Sequence, residues 1–469
     1  MNLKKLKNMT FYSGTVYITQ LIVGLVSIII KNILGPTLTG RFTFLKMIYS
    51  YMNYGHLGIR FSIDKNLPRI SFESSEEEIS EFKSKSISSV FIIEFLIFLI
   101  ISLYILIFNN SLKDKTLIII ILLAGVIHSI NVIYKVIYRA EQKTKEISKY
   151  TFFYGVFFSL FQIIGVLIFS FKGLIISFLI FNMSFLFIYF IFLKKEKIII
   201  KIDLEFIKSR IYDGFPLFAN GLIIFTLLNV DKWFILGYFS DKELGYYSVA
   251  TMFFSMFMIL PNTFSEVLFP DLILNISKME IKKVLSKLIE DIKILSNVFY
   301  ILISIFIFLI PLFINSFMPQ YKSSIILTQI IIIGVFSFSI TSLGSYFLLG
   351  YNKNKTIVGI ASISLLLAIL LNFSFIYFIE LNIIFIALAS CITYILYGLM
   401  YLFIISINND NINTNFVTNV FLILFNLTKL IIILITNLIA NQIFYQIVMI
   451  LFVLDIIFSL HKYKKKLFK

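Results

Sequence analysis

KNILGPTLTGRFTFLKMIYSYMNYGHLGIRFSIDKNLPR, residues 31–69, has an echo about two hundred residues later in DKWFILGYFSDKELGYYSVATMFFSMFMILPNTFSEVLFP, residues 231–270. In each copy an apolar run reaches Leu-Gly, at Leu34-Gly35 and Leu236-Gly237. A short polar turn follows, then a glycine with aromatics close behind: Gly40 before Phe42, and Gly245 before Tyr246 and Tyr247. A second apolar run then reaches a proline, Pro68 or Pro270. Glycine and proline punctuate turns for steric reasons. The pattern predicts a hairpin of two long helices, written twice, and therefore a chain of two related halves.

Composition places those helices in a membrane. Of 469 residues, 59% are hydrophobic and only 14% charged, too apolar for a water-soluble chain. Runs of roughly 20 apolar residues, enough to cross a bilayer, recur throughout. The net charge of +16 is spread as short basic clusters between apolar runs, which suits membrane orientation and argues against nucleic acid as a partner. Cys391, the single cysteine, sits in an apolar run, so no intrachain disulfide forms. The basic start MNLKKLK precedes a run too long for a signal peptide and without a small-residue cleavage pattern; an uncleaved first span is expected.

Hydropathy predicts an all-α polytopic membrane protein with about 14 transmembrane helices, near residues 10–30, 42–61, 87–108, 117–137, 150–171, 174–193, 215–236, 246–268, 294–317, 324–349, 357–379, 383–405, 417–438 and 443–460. Three parts are expected: an N-terminal six-helix lobe (1–200), a C-terminal six-helix lobe (201–410), and an extra helix pair with a basic tail (411–469). Alternate loops and tails carry about 30 of the lysines and arginines, the opposite loops about 7, which predicts cytoplasmic termini. The stretch KMEIKKVLSKLIEDIK is amphipathic and reads as an interfacial connector, and ESSEEEISE as a solvated helix start.

With repeat and helix count in view, the chain resembles the bacterial polysaccharide and oligosaccharide flippases. Their superfamily also holds multidrug and toxin extrusion transporters and the lipid II flippase. The resemblance is carried by Asp231-Lys232, Leu236-Gly237 and Leu244-Gly245-Tyr246-Tyr247, by Leu371-Asn372, and by Arg139-Ala140. The Gly-rich start of the family's twelfth helix appears here as ELNIIFIALAS, without its glycines. The resemblance implies two six-helix lobes in a V that open alternately to each side. It implies an undecaprenyl-diphosphate-linked oligosaccharide, such as an O-antigen or capsule unit, moved to the outer leaflet of the bacterial inner membrane. Membrane lipids and other polysaccharide-assembly proteins are the implied partners, with H+ or Na+ as candidate coupling ion and no other cofactor.

A charged group at mid-bilayer needs a reason, since burying one there costs about 2.5–3.5 kcal/mol on insertion scales. In the second span, Lys46, Asn53, His56 and Arg60 are spaced to share one helical face. They form a candidate substrate stripe, with cations for a diphosphate and hydrogen bonds for sugar hydroxyls. The alternative has Lys46 and Arg60 reaching opposite interfaces and His56 bonding a neighbouring helix. His128, Asn131 and Lys135 make a similar candidate face in the fourth span. Asp231 and Lys232, near the outer end of their span, read as a mutual ion pair or gate; with Asn262 and Glu266 they are the coupling or gate candidates, and Glu94 reads as an interfacial or inter-helix contact. No metal cluster or nucleophile–base pair is legible, so no enzyme is expected. Two rival readings are a drug exporter, which would favour acidic groups in its cleft, and a polymerase or ligase, which would carry a large outer loop.

Overall fold

The computed structural model describes residues 3–108, 114–141, 143–193, 201–407 and 414–439. Thirteen α-helices run through them in chain order: α1 Leu3–Met52, α2 Ile59–Glu73, α3 Glu76–Phe108, α4 Lys115–Ala140, α5 Thr144–Leu193, α6 Leu204–Leu227, α7 Val230–Tyr238, α8 Asp241–Lys278, α9 Ile281–Phe317, α10 Ser324–Gly350, α11 Asn354–Phe378, α12 Ile383–Ile407 and α13 Thr414–Ile439. No strand occurs among the described residues. Ten helices are long and apolar enough to cross a membrane, or eleven if α6 and α7 form one bent span. Their exposed side chains include Leu96, Ile100, Leu103 and Ile107 of α3, an apolar face that water would penalise and lipid accepts. The chain is a multi-pass membrane protein.

Helix α1 holds the first expected span and the start of the second, and α5 holds the fifth and sixth. In α1 the helix is interrupted only at Gly35 (φ 70°, ψ 172°) and resumes at Pro36, whose missing N–H is harmless in a first turn. In α5 the backbone leaves helical geometry at Phe169 and Ser170. A Cβ built on Gly173 would lie 2.0 Å from the Gly165 carbonyl oxygen. Eight residues of straight helix span about 12 Å, so this contact shows that the chain doubles back. The predicted seventh span is instead two helices, the end of α6 and α7, with a break between them. The amphipathic connector continues directly into α9, where Leu285, Leu288 and Ile292 of its apolar stripe are buried and Ile281 is exposed. The fourteenth predicted span and the basic tail lie outside the described residues.

The chain forms two compact units. The first comprises Met1–Asn229 and Ser240–Gly245. One core joins Val26, Leu45 and Tyr49 of α1 with Ile121 and Leu122 of α4 and Leu174, Ile175 and Phe178 of α5. A second core sets Ile59, Ile63 and Leu67 of α2 against Val90 of α3 and Ile133 of α4. A reciprocal cap starts α3: the Glu78 amide donates to Ser75 Oγ, and the Ser75 amide to the Glu78 carboxylate, both at 3.3 Å. Asp203 caps α6 by accepting from the Phe206 amide at 2.9 Å and from Lys85 at 2.7 Å. The Lys85 ammonium and that amide hold its carboxyl below the usual range.

In the second unit, Val230–Phe239 and Tyr246–Lys469, α10 is buried along almost its whole length. Ala387, Ala389 and Ser390 supply small buried residues at the start of α12, which let neighbouring helices approach closely. Polar pairs join α9 to α13, Lys293 to Asn419 at 2.7 Å and Asn426 to Asn297 at 2.5 Å.

Between α4 and α5, Glu141 pairs with Lys83 of α3 and with Lys143 at 2.6 Å. Burial pushes its carboxyl up, but hydrogen bonds from Lys143 and Lys83 outweigh this and leave it below the ordinary value of 4.5. A depressed carboxyl contributes stability that is fully present above its unfolded value and lost as pH falls through its folded one. Glu141→Gln should therefore lower the thermal midpoint at neutral pH and narrow the gap to wild type under strong acid. Equal gaps at both pH values would remove this role.

Candidate functional site

The chain does not run as one helix through the predicted second span. Helix α1 ends at Met52 and α2 begins at Ile59. Between them the amides of Asn53, Tyr54, Gly55 and Leu57 bond the carbonyl three residues back, the signature of tight turns. Leu57 (φ 47°) and Gly58 (φ 105°) are left-handed, a conformation that glycine adopts freely and leucine does not. The expected single face of Lys46, Asn53, His56 and Arg60 is therefore corrected: Lys46 sits on α1, Asn53 and His56 in the break, and Arg60 on α2.

Their surroundings differ accordingly. Lys46 is exposed and Arg60 partly so. His56 is fully buried, and its Nδ1 accepts from the Gly58 amide at 3.0 Å. That bond places the proton of a neutral His56 on Nε2, which has no partner among the described residues. Asn53 Oδ1 is likewise buried without one.

Against the break lies Glu94 of α3, fully buried. A Cβ added to Gly55 would lie 3.0 Å from Glu94 Cγ. Ser129 of α4 donates to Glu94 Oε1, while Oε2 is unpaired among the described residues.

The fourth-helix candidates join a network inside the first unit. Tyr154 donates to Asn182 Oδ1 at 2.8 Å, so its oxygen receives the His128 Nδ1–H at 2.6 Å. Asn182 also donates to Tyr49 at 3.3 Å, and His128 lies 5.0 Å from the Tyr49 ring. Asn131 is fully buried and donates to the Asn182 carbonyl at 3.2 Å. Lys135 is part-buried at the next turn of that helix.

In the second unit Asp231 is buried. Its carboxylate accepts from Tyr247, from Ser390 at 3.3 Å and from the Lys232 amide at 2.7 Å. The Lys232 side chain is part-buried and Asn262 exposed. The Glu266 side chain lies outside the described residues. Among the described residues no group of three or more His, Cys, Asp or Glu side chains could hold a metal.

One residue escaped sequence reasoning. Asp213 of α6 accepts from Ser62 at 3.0 Å, from Asn66 at 2.5 Å and from Lys65, and so clasps α6 to α2. Its partners are about 150 residues away in sequence, so spacing gave no sign of it.

No curated protein sequence matches the chain. Solved structures match the fold closely. One is the lipid II flippase MurJ in its inward closed conformation, with a TM-score of 0.66 and 18% identity over 98% of this chain and 99% of that one. Another is an inward-facing multidrug resistance MATE transporter of the MOP superfamily, with a TM-score of 0.63 and 11% identity over 86% and 94%. A third is a MOP superfamily transporter from Pyrococcus furiosus, with a TM-score of 0.57 and 13% identity over 86% and 96%. At such identities the likeness establishes a transporter fold. The family model described as polysaccharide biosynthesis protein matches residues 5–275, more than half of the chain, and the chain belongs to that family.

Proposed function

We propose that this protein moves an undecaprenyl-diphosphate-linked oligosaccharide from the cytoplasmic to the outer leaflet of the bacterial inner membrane, without enzymatic turnover. The observation that carries the reading is the extent of the likeness to a lipid-linked flippase. It takes in 98% of the chain, whereas the likeness to the multidrug resistance MATE transporter takes in 86%. Family membership among polysaccharide biosynthesis proteins supports a glycan as the cargo. Alternating access by two six-helix lobes is the movement such a repeat serves.

Transport of a lipid diphosphate through the bilayer strips water from phosphates, which is costly without compensation. Lys46 and Arg60 are the cations proposed to offset that cost, since neither is fully buried. Arg suits the task because its planar fork donates two bonds at once. His56 and Asn131, by contrast, are fully buried and serve to position the break and the α4 network. Asp231, Lys232, Asn262 and Glu266 remain the coupling or gate candidates.

Lys46→Ala and Arg60→Ala should each lower the appearance of lipid-linked glycan in the outer leaflet about tenfold, the scale of one lost charge-assisted bond. Arg60→Lys should recover part of it. Protein abundance is measured alongside. Normal translocation by both alanine variants at matched abundance would sink the diphosphate role.

A further inference from the structure

Glu94 of the first unit is a fully buried carboxylate that the proposed substrate path does not use. It reaches the break between α1 and α2 from α3, touching Gly55, and it is tied to α4 through Ser129. Oε1 has that donor; Oε2 has none among the described residues. One residue beyond Gly55, His56 presents a buried Nε2 in the same condition. Three helices thus converge on a carboxyl group at the point where the backbone is bent out of helical geometry.

The charged neighbours can be named from each element packed against it. From α2, Arg60 interacts electrostatically with Glu94 but makes no hydrogen bond to it in the described contacts. Arg60 also interacts with Tyr54 in the break and with Asp64 and Arg139. Asp64 is already held by Arg139, Nε to Oδ1 at 3.1 Å, so it leaves Arg60 incompletely neutralised. His56 is fixed as a neutral ring by the Gly58 amide, and His128 of α4 is engaged by Tyr154. Ser129 is the group that α4 presents.

We propose that Glu94 is a proton-binding site whose charge state is read by the break between α1 and α2. Proton uptake from water forms an O–H bond on Oε2 and removes the negative charge. In that state a carboxyl with a single donor is tolerable at zero exposure. Loss of the proton to water restores a carboxylate, which needs a cation or further donors. Arg60 is the cation in reach, and it stands two residues past the left-handed Gly58. Drawing Arg60 towards Glu94 therefore means moving the break itself. Any transported solute would feel that movement, so the inference rests on the transporter fold and on no particular substrate.

The test uses the full-length protein reconstituted in liposomes of neutral lipid, with protons as the only probe. Infrared difference spectra recorded between pH steps from roughly pH 5 to 9 should show a protonated carboxyl band that titrates. The band should vanish in Glu94→Gln, persist in Glu94→Asp, and shift its midpoint in Ser129→Ala. A Glu94-dependent amide change should accompany it and should be weakened in Gly58→Ala. Absence of any Glu94-dependent band overturns the proposal. So does a response to sodium steps at fixed pH in place of proton steps, which would make the site a cation site. No glycan enters the measurement, so failure of the flippase reading would leave this result standing.

Discussion

Gly245→Leu is expected to prevent accumulation of folded protein, and Gly40→Leu to do the same. Both residues belong to the first unit, where Ser240–Gly245 packs on the stretch after the Gly35 interruption of α1. A Cβ on Gly40 would sit 1.7 Å from the Asp241 carbonyl oxygen, and one on Gly245 1.9 Å from that of Pro36. Each clash is with backbone, which has no rotamer to change. Arg41 spans the same contact, 3.0 Å from Asp241 and 3.9 Å from Asp114. Overpacking a core costs about 1–3 kcal/mol when side chains can yield, and here they cannot. Gly237 is the internal control: it belongs to the same repeated motif, yet nothing lies within 4 Å of an added Cβ. Gly237→Ala should leave monodisperse yield and heat midpoint at wild-type values. Wild-type stability of Gly245→Leu would show that the two segments part at little cost.

The glycines that carry this argument were legible in the sequence, because both copies of the motif place them after the same polar turn. Membrane spans were legible too, since apolar length is a property of the chain alone. The break at residues 53–58 was not, although Gly55 and Gly58 within one turn were its signal. Helical spacing assumed a continuous helix and so gave Lys46, Asn53, His56 and Arg60 a common face they do not have. Partners fared worse than faces. Periodicity shows which way His128 points but not that Tyr154 and Asn182 wait there, nor that Asp213 closes on Ser62 and Asn66. Asp231 stood out as a charge paired with Lys232 near the outer end of a span, but its hydroxyl partners come from α8 and α12, and only the fold brings them together.

That arrangement gives the last prediction. Asp231→Ala should destabilise the second unit strongly, because it strands donors that water cannot reach. Tyr247 is fully buried and Ser390 nearly so. Each hydroxyl, and the Lys232 amide with them, would lose its acceptor. A stranded buried donor costs about 1–3 kcal/mol. Tyr247→Phe should cost less, since the carboxylate keeps Ser390 and the amide. The two substitutions are coupled through one bond, so the double variant should be more stable than the sum of the single effects predicts. Heat-inactivation midpoints of the four proteins in one detergent supply the cycle, and strict additivity would show that the hydroxyl and the carboxylate do not depend on each other. Asp231→Asn separates packing from coupling. The side-chain oxygen can still accept from Tyr247 and Ser390, while the Lys232 amide loses its acceptor, so the cost should be smaller than that of Asp231→Ala. Loss of transport by this folded variant would then mark the charge of Asp231, and not its hydrogen bonds, as the part that drives the cycle.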